Sequence, residues 1–364
     1  MLACPMDRPT ALIWSWLNVL NAKRLAALLQ VYGDMTKALQ HIDEPLLQEL
    51  GCRGDTVFAV LNRLEECDPA VYEQELKKRR LSFLTIDDSE YPRHLKEIAD
   101  PPVFLYWRGD LTILDQPCIA LVGTRAMSDY GRRVAESFVP ELVRAGLVTV
   151  SGLALGIDAT VARETIAAGG RTVAVLGHGL GKIYPRENAR LAEEIVEAGG
   201  LYLSEFPLDA EPGKYTFPAR NRIIAGLSLG TVVLEAPHGS GALITADLAL
   251  DYGREVFVVP GPIFDPNYAG CHQMLGKGHA KLVSSAADIL LELGVVASEA
   301  AQSSYDPKSA AEAALLNVLT TMPQTSDDLM ERSGLPAGQI ASALTMMELS
   351  GAAKQVGHGQ WVRR

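Results

Sequence analysis

Two short loops that carry glycine, hydroxyl side chains and arginine have the residue types that suit an anionic ligand. The first contains Gly123, Thr124 and Arg125, and the second contains Ser151 and Gly152. Glycine lets backbone N–H groups approach an anion closely, and the planar guanidinium of arginine matches the geometry of a phosphate. A helix beginning after each loop would add partial positive charge at its N-terminus. These residue types predict a phosphate-binding site.

The spacing in these loops differs from that of two well-known nucleotide-binding motifs. It is not Gly-x-Gly-x-x-Gly, and the lysine of a Walker sequence does not follow. The pattern therefore does not support dinucleotide or triphosphate binding. A structural interpretation stays open, in which the glycines only permit tight turns between strands and helices.

A further segment combines cations with aromatic residues within a few positions. It contains Lys214, Tyr215, Phe217, Arg220, Asn221 and Arg222. Cations neutralise phosphates, and aromatic faces stack unpaired bases at about 1–3 kcal/mol each. We therefore expect the segment to contact a nucleic-acid strand, with bases against Tyr215 and Phe217. In the alternative, Arg220 pairs internally with Glu205 or Glu235, and we expect at least one of the three cations to be paired inside the protein.

A turn of small residues leads onto another predicted helix. Its Ser240 and Gly241 can either bind an anion or cap the helix, and the sequence leaves both possibilities open. Glu235 precedes the turn and is a candidate general base for an enzyme that acts on a nucleotide. No nucleophile–histidine–acid set is evident around it, so we predict no catalytic residue.

The elements that position these loops follow from a regular alternation of apolar runs and helical patterns. The predicted strands are Cys118–Val122, Leu147–Val150, Thr172–Leu176, Leu201–Ser204, Thr231–Leu234 and Glu255–Val259, with a shorter one near Lys281–Val283. This alternation is typical of an α/β fold with a doubly wound, mostly parallel sheet. Because ligands bind at the carboxyl ends of such strands, we expect the loops to share one edge. A further strand within 101–109 starts with paired prolines, which predicts an edge position.

Helical segments precede and follow the predicted sheet domain, which spans 80–295. Residues 1–75 indicate a helical domain of the sterile-alpha-motif or helix-hairpin-helix kind, or else a small bundle used for packing or self-association. A linker over 296–310 is followed at 311–364 by three helices and a hairpin, the winged-helix pattern. Its third helix offers Gln339, Ser342 and Thr345 but no cation, so both duplex binding and protein binding remain open.

Composition restricts the class of protein. The chain has 364 residues and a formal net charge of −11, which predicts two or three domains and argues against nonspecific coating of nucleic acid. A local basic groove is compatible with this charge, because exposed charges more than about 8–10 Å apart are largely screened at physiological salt.

Cysteine usage and hydropathy predict neither a metal site nor a membrane segment. The five cysteines are scattered, and the spacing of Cys271, His272 and His279 fits no familiar metal site. No cofactor is expected either. No apolar run approaches the ~20 residues that span a bilayer, and the N-terminus lacks a secretory signal pattern. We therefore expect a cytoplasmic protein.

Many of these stretches, taken in order, resemble the DNA-processing protein A (DprA, or Smf) family. The stretches are 123–131, 151–158, 175–188, 204–207, 217–224, 235–246 and 254–261. The resemblance extends over roughly residues 80–290, and the flanking segments fit longer family members. The chain departs from the family pattern at 159–162, where a histidine is usual, and at 181–182, where an aspartate is frequent.

The resemblance implies an extended Rossmann fold that binds single-stranded DNA without sequence preference and has no enzymatic activity. It also implies a homodimer that protects incoming strands and helps to load a RecA-type recombinase in natural transformation. By motif position, Arg125, Gly152, Lys214, Arg220 and Arg222 would lie in the DNA groove. Two other hypotheses are a phosphoribohydrolase-like nucleotide enzyme and a ligand-sensing transcription regulator with a winged helix.

Overall fold

The computed structural model describes residues 6–295, 305, 307–320, 323–356 and 359–363. The described residues up to 295 form one compact unit, and those from 305 onward form a second. Most of the predicted linker over 296–310 lies outside the described residues. Among the helices that the structure describes, none has the length and apolar character needed to cross a bilayer.

From residue 6, where the description begins, six α-helices precede the sheet. They are α1 (Arg8–Leu17), α2 (Ala22–Tyr32), α3 (Met35–Gln40), α4 (Glu44–Glu49), α5 (Gly54–Glu66) and α6 (Pro69–Lys78). Side chains of Asp7, Asn21, Asp34, Asp43 and Asp68 accept backbone N–H bonds at the starts of five of them, as expected for N-cap residues. The helices share a continuous apolar core with the sheet, so this segment packs directly on the domain that follows.

In the described part of the chain, nine strands form one sheet. They are β1 (Ser82–Thr85), β2 (Phe104–Gly109), β3 (Cys118–Gly123), β4 (Val148–Ser151), β5 (Thr172–Val175), β6 (Leu201–Ser204), β7 (Gly230–Glu235), β8 (Glu255–Val258) and β9 (Lys281–Leu282). Their order is β1-β2-β6-β5-β4-β3-β7-β8-β9. The seven strands from β3 to β9 run parallel, whereas β2 is antiparallel to both β1 and β6. The predicted doubly wound α/β fold is confirmed.

The strand order places the predicted loops at one edge. Chain order reverses between β3 and β7, because β4, β5 and β6 extend to one side of β3 and β8 and β9 to the other. Ligands of open parallel sheets bind outside the carboxyl ends of the strands at such a reversal. The loops after β3, β4 and β7 all leave the sheet there.

The predicted edge position of the strand within 101–109 is wrong. That strand, β2, lies between β1 and β6 and forms ladders with both. Pro101 and Pro102 precede its first residue, Phe104, so the missing proline N–H groups remove no ladder hydrogen bond.

Eight α-helices accompany the strands over residues 82–295, all of which the structure describes. They are α7 (Arg93–Lys96), α8 (Asp129–Arg144), α9 (Ile157–Ala167), α10 (Ala189–Glu197), α11 (Thr216–Leu227), α12 (Gly241–Asp251), α13 (Ala269–Gly276) and α14 (Ala286–Glu292). Helix α14 was not predicted from the sequence. It begins with a capping box formed by Ser285 and Asp288, and it buries Ile289 in the core below α8.

The C-terminal unit has the predicted winged-helix elements. They are α15 (Ala310–Val318), α16 (Ser326–Ser333), α17 (Ala337–Leu349), β10 (Ala353–Val356) and β11 (Gln360–Arg363). The two strands pair antiparallel as a hairpin, and the helices enclose a separate small core around Leu315, Leu329 and Leu344.

Candidate nucleic-acid interface

A small cavity of about 50 Å³ lies at the carboxyl ends of β3, β4 and β5, and is called here the carboxyl-edge cavity. It is lined by Arg125, Gly152, Ala154, Leu155, Tyr184, Pro185, Phe217 and Arg220. The structure thus brings together four residues predicted from three separate stretches of sequence, namely Arg125, Gly152, Phe217 and Arg220.

Arg125 presents an exposed cation against an aromatic surface. Its guanidinium carbon lies 5.2 Å from the centroid of the Phe217 ring, within the range of a cation–π contact. The ring of Tyr184 lies 6.0 Å from that of Phe217. In the described part of the chain no carboxylate pairs with Arg125, so its positive charge is available to an external anion.

Arg220 is a buried cation in the wall of this cavity. The residue is 6% exposed; its Nη1 donates to the carbonyl oxygen of Val175, and its Nε donates to Oδ1 of Asn221 at 2.9 Å. A Cβ atom at Gly152 would overlap both terminal nitrogens of the guanidinium. The predicted glycine is therefore required for the close approach of an internal arginine.

Asp158 shares the electrostatic environment of Arg220. Its Oδ2 accepts the backbone N–H groups of Gly152 at 3.1 Å and Ala154 at 3.3 Å. Burial raises the pKa of the Asp158 carboxyl, although attraction to Arg220 opposes the shift. Burial also lowers the pKa of the Arg220 guanidinium. The negative charge of Asp158 opposes this shift and partly compensates the positive charge of Arg220.

Backbone N–H groups of the two glycine loops are largely used inside the protein. The N–H of Gly152 binds Asp158, that of Thr124 donates to the carbonyl oxygen of Glu235 at 2.8 Å, and that of Ser128 donates to the Glu235 carboxylate at 3.1 Å. Side chains, rather than a cradle of amides, are thus the groups these loops offer to a phosphate.

Two predicted residues of the glycine loops have internal positions. A Cβ at Gly123 would lie 2.5 Å from Cγ1 of Ile157, so glycine allows α9 to pack closely on β3. The hydroxyl of Ser151 is buried and donates to the carbonyl oxygen of Leu121 at 2.9 Å. Both residues therefore stabilise the loops from inside the protein.

Ser240 caps α12 at the turn that precedes this helix. Ser240 Oγ accepts the N–H of Ala242 at 3.4 Å, and Nδ2 of Asn221 donates to the carbonyl oxygen of Gly241 at 3.2 Å. The Asn221 side chain therefore connects α11 to the first residue of α12 by a hydrogen bond.

Lys214 and Tyr215 lie on the loop that leads into α11. Both side chains are exposed, Tyr215 to 84%. The turn is closed by the N–H of Gly213, which donates to Oγ1 of Thr216 at 2.9 Å. Over the described ranges Lys214 forms no ion pair, so it offers a second available cation.

Arg222 is the internally paired cation of this segment. Its Nη1 and Nη2 donate to the two carboxylate oxygens of Glu205, each at 2.7 Å, and its Nε lies 3.2 Å from Oδ2 of Asp100. The side chain is 12% exposed. Burial alone would lower the pKa of Arg222, but the attraction of the Glu205 and Asp100 carboxylates is the larger effect and raises it. The expected partner Glu205 is thus bound by Arg222 instead of Arg220.

Glu235 is fully buried, which does not suit a general base. Its carboxylate accepts the N–H and, at 3.0 Å, the hydroxyl of Ser128 at the start of α8. Burial raises the pKa of this carboxyl despite those hydrogen bonds. The environment is that of a structural cap, and the residues that the structure describes contain no cluster that could hold a metal ion.

Four residues that line the cavity were not among the predicted contacts, namely Ala154, Leu155, Tyr184 and Pro185. Tyr184 and Leu155 are partly exposed apolar side chains in its wall, and Asp158 fixes the loop behind it. The tyrosine–proline pair at 184–185 was visible as part of the family-like pattern, but only the fold shows that the loop after β5 meets α11.

The winged-helix unit offers no cation on its third helix. Along α17 the exposed side chains include Gln339, Ser342 and Thr345 together with Met346 and Leu349, and the Thr345 hydroxyl donates to the carbonyl of its own helix. This face lacks the charge expected of a helix that reads a duplex.

Comparisons with known proteins identify the family. Residues 82–294 match the family model for DNA recombination-mediator protein A, and residues 299–359 match the DprA winged helix domain. The DNA processing protein DprA of Streptococcus pneumoniae is 44% identical over 66% of this chain and 83% of its own length. Protein Smf of Escherichia coli is 37% identical over 90% of this chain and 91% of its own.

Solved structures agree. The X-ray structure of the Streptococcus pneumoniae DprA aligns with 79% of this chain over 98% of the length of that protein, with a TM-score of 0.66 and 36% sequence identity. The Helicobacter pylori DNA processing protein A, whose structure concerns its single-stranded DNA binding mode, covers 59% of this chain and 95% of its own, with a TM-score of 0.54 and 32% identity. The chain therefore belongs to the DprA/Smf family of DNA recombination mediators.

Proposed function

We propose that this protein binds single-stranded DNA without sequence preference at the carboxyl-edge cavity. The observation that carries the proposal is the exposed Arg125 guanidinium, which lies on the Phe217 ring and has no carboxylate partner among the described residues. A phosphate would bind Arg125 and Lys214, and bases would stack on Phe217, Tyr184 and the exposed Tyr215. The family membership and the DNA binding of the Helicobacter pylori relative support the same assignment.

The chemistry of the cavity explains why binding would not depend on sequence. Arginine and lysine recognise the phosphate, which is the same in every nucleotide, and every base has a face that stacks on an aromatic ring. Two side-chain amides near the cavity are already bonded inside the protein. That of Asn221 bonds Arg220 and Gly241, and that of Asn188 donates to the carbonyl oxygens of Leu153 and Ala154. Neither is therefore free to read base edges.

The net charge of −11 is compatible with this site. Acidic side chains elsewhere on the surface are screened over about 8–10 Å at physiological salt, whereas a bound phosphate would contact Arg125 directly. The cavity is therefore expected to determine where the strand binds, and the acidic remainder to discourage binding elsewhere.

The biological role we propose is that of a cytoplasmic homodimer that protects incoming single strands and helps a RecA-type recombinase to assemble on them. Membership of the recombination-mediator family supports this role. It predicts faster assembly of recombinase filaments on single strands when the full chain is present. Unchanged assembly would refute the loading role while leaving strand binding intact.

The binding proposal is tested with fluorescent oligo-dT, oligo-dA and oligo-dC strands and with a duplex of equal length, using the full chain. We expect similar affinities for the three single strands, weaker duplex binding and a steep loss of affinity with salt. Preference for the duplex, or for one sequence, would refute the proposal. Incubation with nucleoside monophosphates is expected to release no base, in contrast to a phosphoribohydrolase.

A further inference from the structure

The ion pair between Arg222 and Glu205 joins two stretches that are separate in the sequence. Glu205 is the first residue after β6, and Arg222 lies in the second turn of α11. We infer that these two residues are positioning residues for strand binding, which hold α11 so that Phe217 and Arg220 face the carboxyl-edge cavity. The inference rests on the proposed function and assigns Arg222 a role other than contact with DNA.

The contacts make this a firm attachment. Arg222 binds both oxygens of Glu205 at 2.7 Å and approaches Asp100 at 3.2 Å. The hydroxyl of Tyr252, directly after α12, donates to Oδ1 of Asp100 at 2.6 Å. A bidentate arginine–carboxylate pair restricts direction as well as distance. One guanidinium thus connects the end of β6, the loop after α7 and the helix α11.

Helix geometry explains why the two arginines differ. Successive residues of an α-helix are rotated by about 100°, so side chains two positions apart point to nearly opposite sides. Arg220 lines the cavity, and Arg222 accordingly points away from it to Glu205. On this side Gly226 also allows close packing, since a Cβ there would lie 2.8 Å from Cγ2 of Ile98.

The local charge argues against a DNA contact at Arg222. Its single positive charge faces the carboxylates of Glu205 and Asp100, so the surroundings are net negative and would repel a phosphate. A strand could reach this guanidinium only by displacing a carboxylate from a mostly buried position, at the cost of leaving that charge unpaired.

Substitution of Glu205 distinguishes a positioning role of Arg222 from contact with DNA, because the two roles predict opposite changes in the affinity for a single strand. If Arg222 contacted DNA, Glu205→Gln would release its cation and strengthen binding of oligo-dT. If the pair positions α11, the same isosteric change weakens binding, by about threefold to tenfold, although it removes a negative charge. Arg222→Lys is expected to weaken binding similarly, because lysine keeps the charge but cannot form the bidentate pair.

A second ion pair supplies the matched control. Arg108 on β2 binds both oxygens of Glu193 on α10 at 2.9 and 2.6 Å, and neither residue lines the cavity. Glu193→Gln removes the same charge and the same kind of bond, and we expect unchanged or slightly tighter binding. Thermal unfolding of all variants shows whether each is folded at the assay temperature.

The outcomes separate this inference from the proposed function. If the unaltered chain binds oligo-dT, and Glu205→Gln binds it equally or more tightly, the positioning role is refuted. The same conclusion follows if Glu193→Gln weakens binding as much as Glu205→Gln does. If the unaltered chain does not bind oligo-dT, the proposed function itself has failed. If Glu205→Gln is unfolded at the assay temperature, the test depends on Arg222→Lys. Undiminished affinity of that variant for oligo-dT would overturn the inference.

Discussion

Replacement of Arg125 by alanine is the most direct perturbation of the proposed groove. Three cations lie in the cavity or on the loop beside it, namely Arg125, Arg220 and Lys214. Each phosphate neutralised on a single strand contributes about −0.7 to the slope of log K against log salt. Arg220 is already bonded inside the protein, so the two remaining contacts give a slope of about −1.4 for each site, and Arg125→Ala should reduce it to about −0.7.

The expected loss of affinity follows from the chemistry of one charged contact. A hydrogen bond to an ionised group contributes about 1.5–3 kcal/mol, so Arg125→Ala should weaken oligo-dT binding by about tenfold to a hundredfold. Fluorescence anisotropy at several salt concentrations measures the affinity and the slope together. Because Arg125 is exposed, its removal should leave the free energy of unfolding nearly unchanged.

The matched control is Arg132→Ala, which changes the net charge equally. Arg132 lies on α8, where it pairs with Asp129 at 2.7 Å and with Glu136 at 3.4 Å. We expect at most a small loss of affinity and no change of slope. Equal losses in the two variants would show that overall charge, not the groove, governs binding, and the reasoning from Arg125 would be refuted.

Three further substitutions test other parts of the site. Gly152→Ala should lower the free energy of unfolding by about 1–3 kcal/mol in urea titrations, because the added Cβ overlaps the Arg220 guanidinium; unchanged stability would mean that the arginine is not held there. Phe217→Ala should weaken binding of oligo-dT and oligo-dA alike by about 1–3 kcal/mol, whereas Phe58→Ala, at an exposed position of α5, should have no effect. For Glu235, burial raises the pKa above its ordinary value of 4.5, so the folded protein keeps a proton that the unfolded chain releases. The free energy of unfolding of the unaltered chain, relative to that of Glu235→Gln, should therefore fall as the pH rises above about 4.5. Urea unfolding at several pH values measures this difference, and an increase of the difference with pH would contradict the burial argument.

Local pattern was sufficient to predict the parallel sheet. The seven strands from β3 to β9 agree with their predicted ranges to within about one or two residues, because apolar runs bounded by glycine turns are local signals. The position of β2 inside the sheet, between β1 and β6, was not predictable in the same way. Its neighbour β6 lies about a hundred residues later in the chain, and pairing at that separation depends on topology rather than on proline content.

The roles of Gly152 and Gly123 show where residue type alone was insufficient. The sequence indicated glycine for close approach to the backbone, and close approach occurs at both positions. The approaching groups, however, are the Arg220 guanidinium and the Ile157 side chain. Glycine reports that space is needed, whereas only the tertiary structure shows whether a ligand or a neighbouring side chain fills it.

The same distinction separates the three cations of the segment from Lys214 to Arg222. The sequence predicted that at least one of these three cations is paired inside the protein, but not which one. Lys214 is exposed, Arg220 is buried in the cavity wall and Arg222 is paired with Glu205. An arginine contributes to phosphate binding only to the extent that its charge is not already compensated. In an acidic protein the number of arginines therefore predicts little about nucleic-acid binding. Whether a carboxylate faces an arginine determines whether that arginine can bind a strand, or instead holds in place the helix whose other residues bind it.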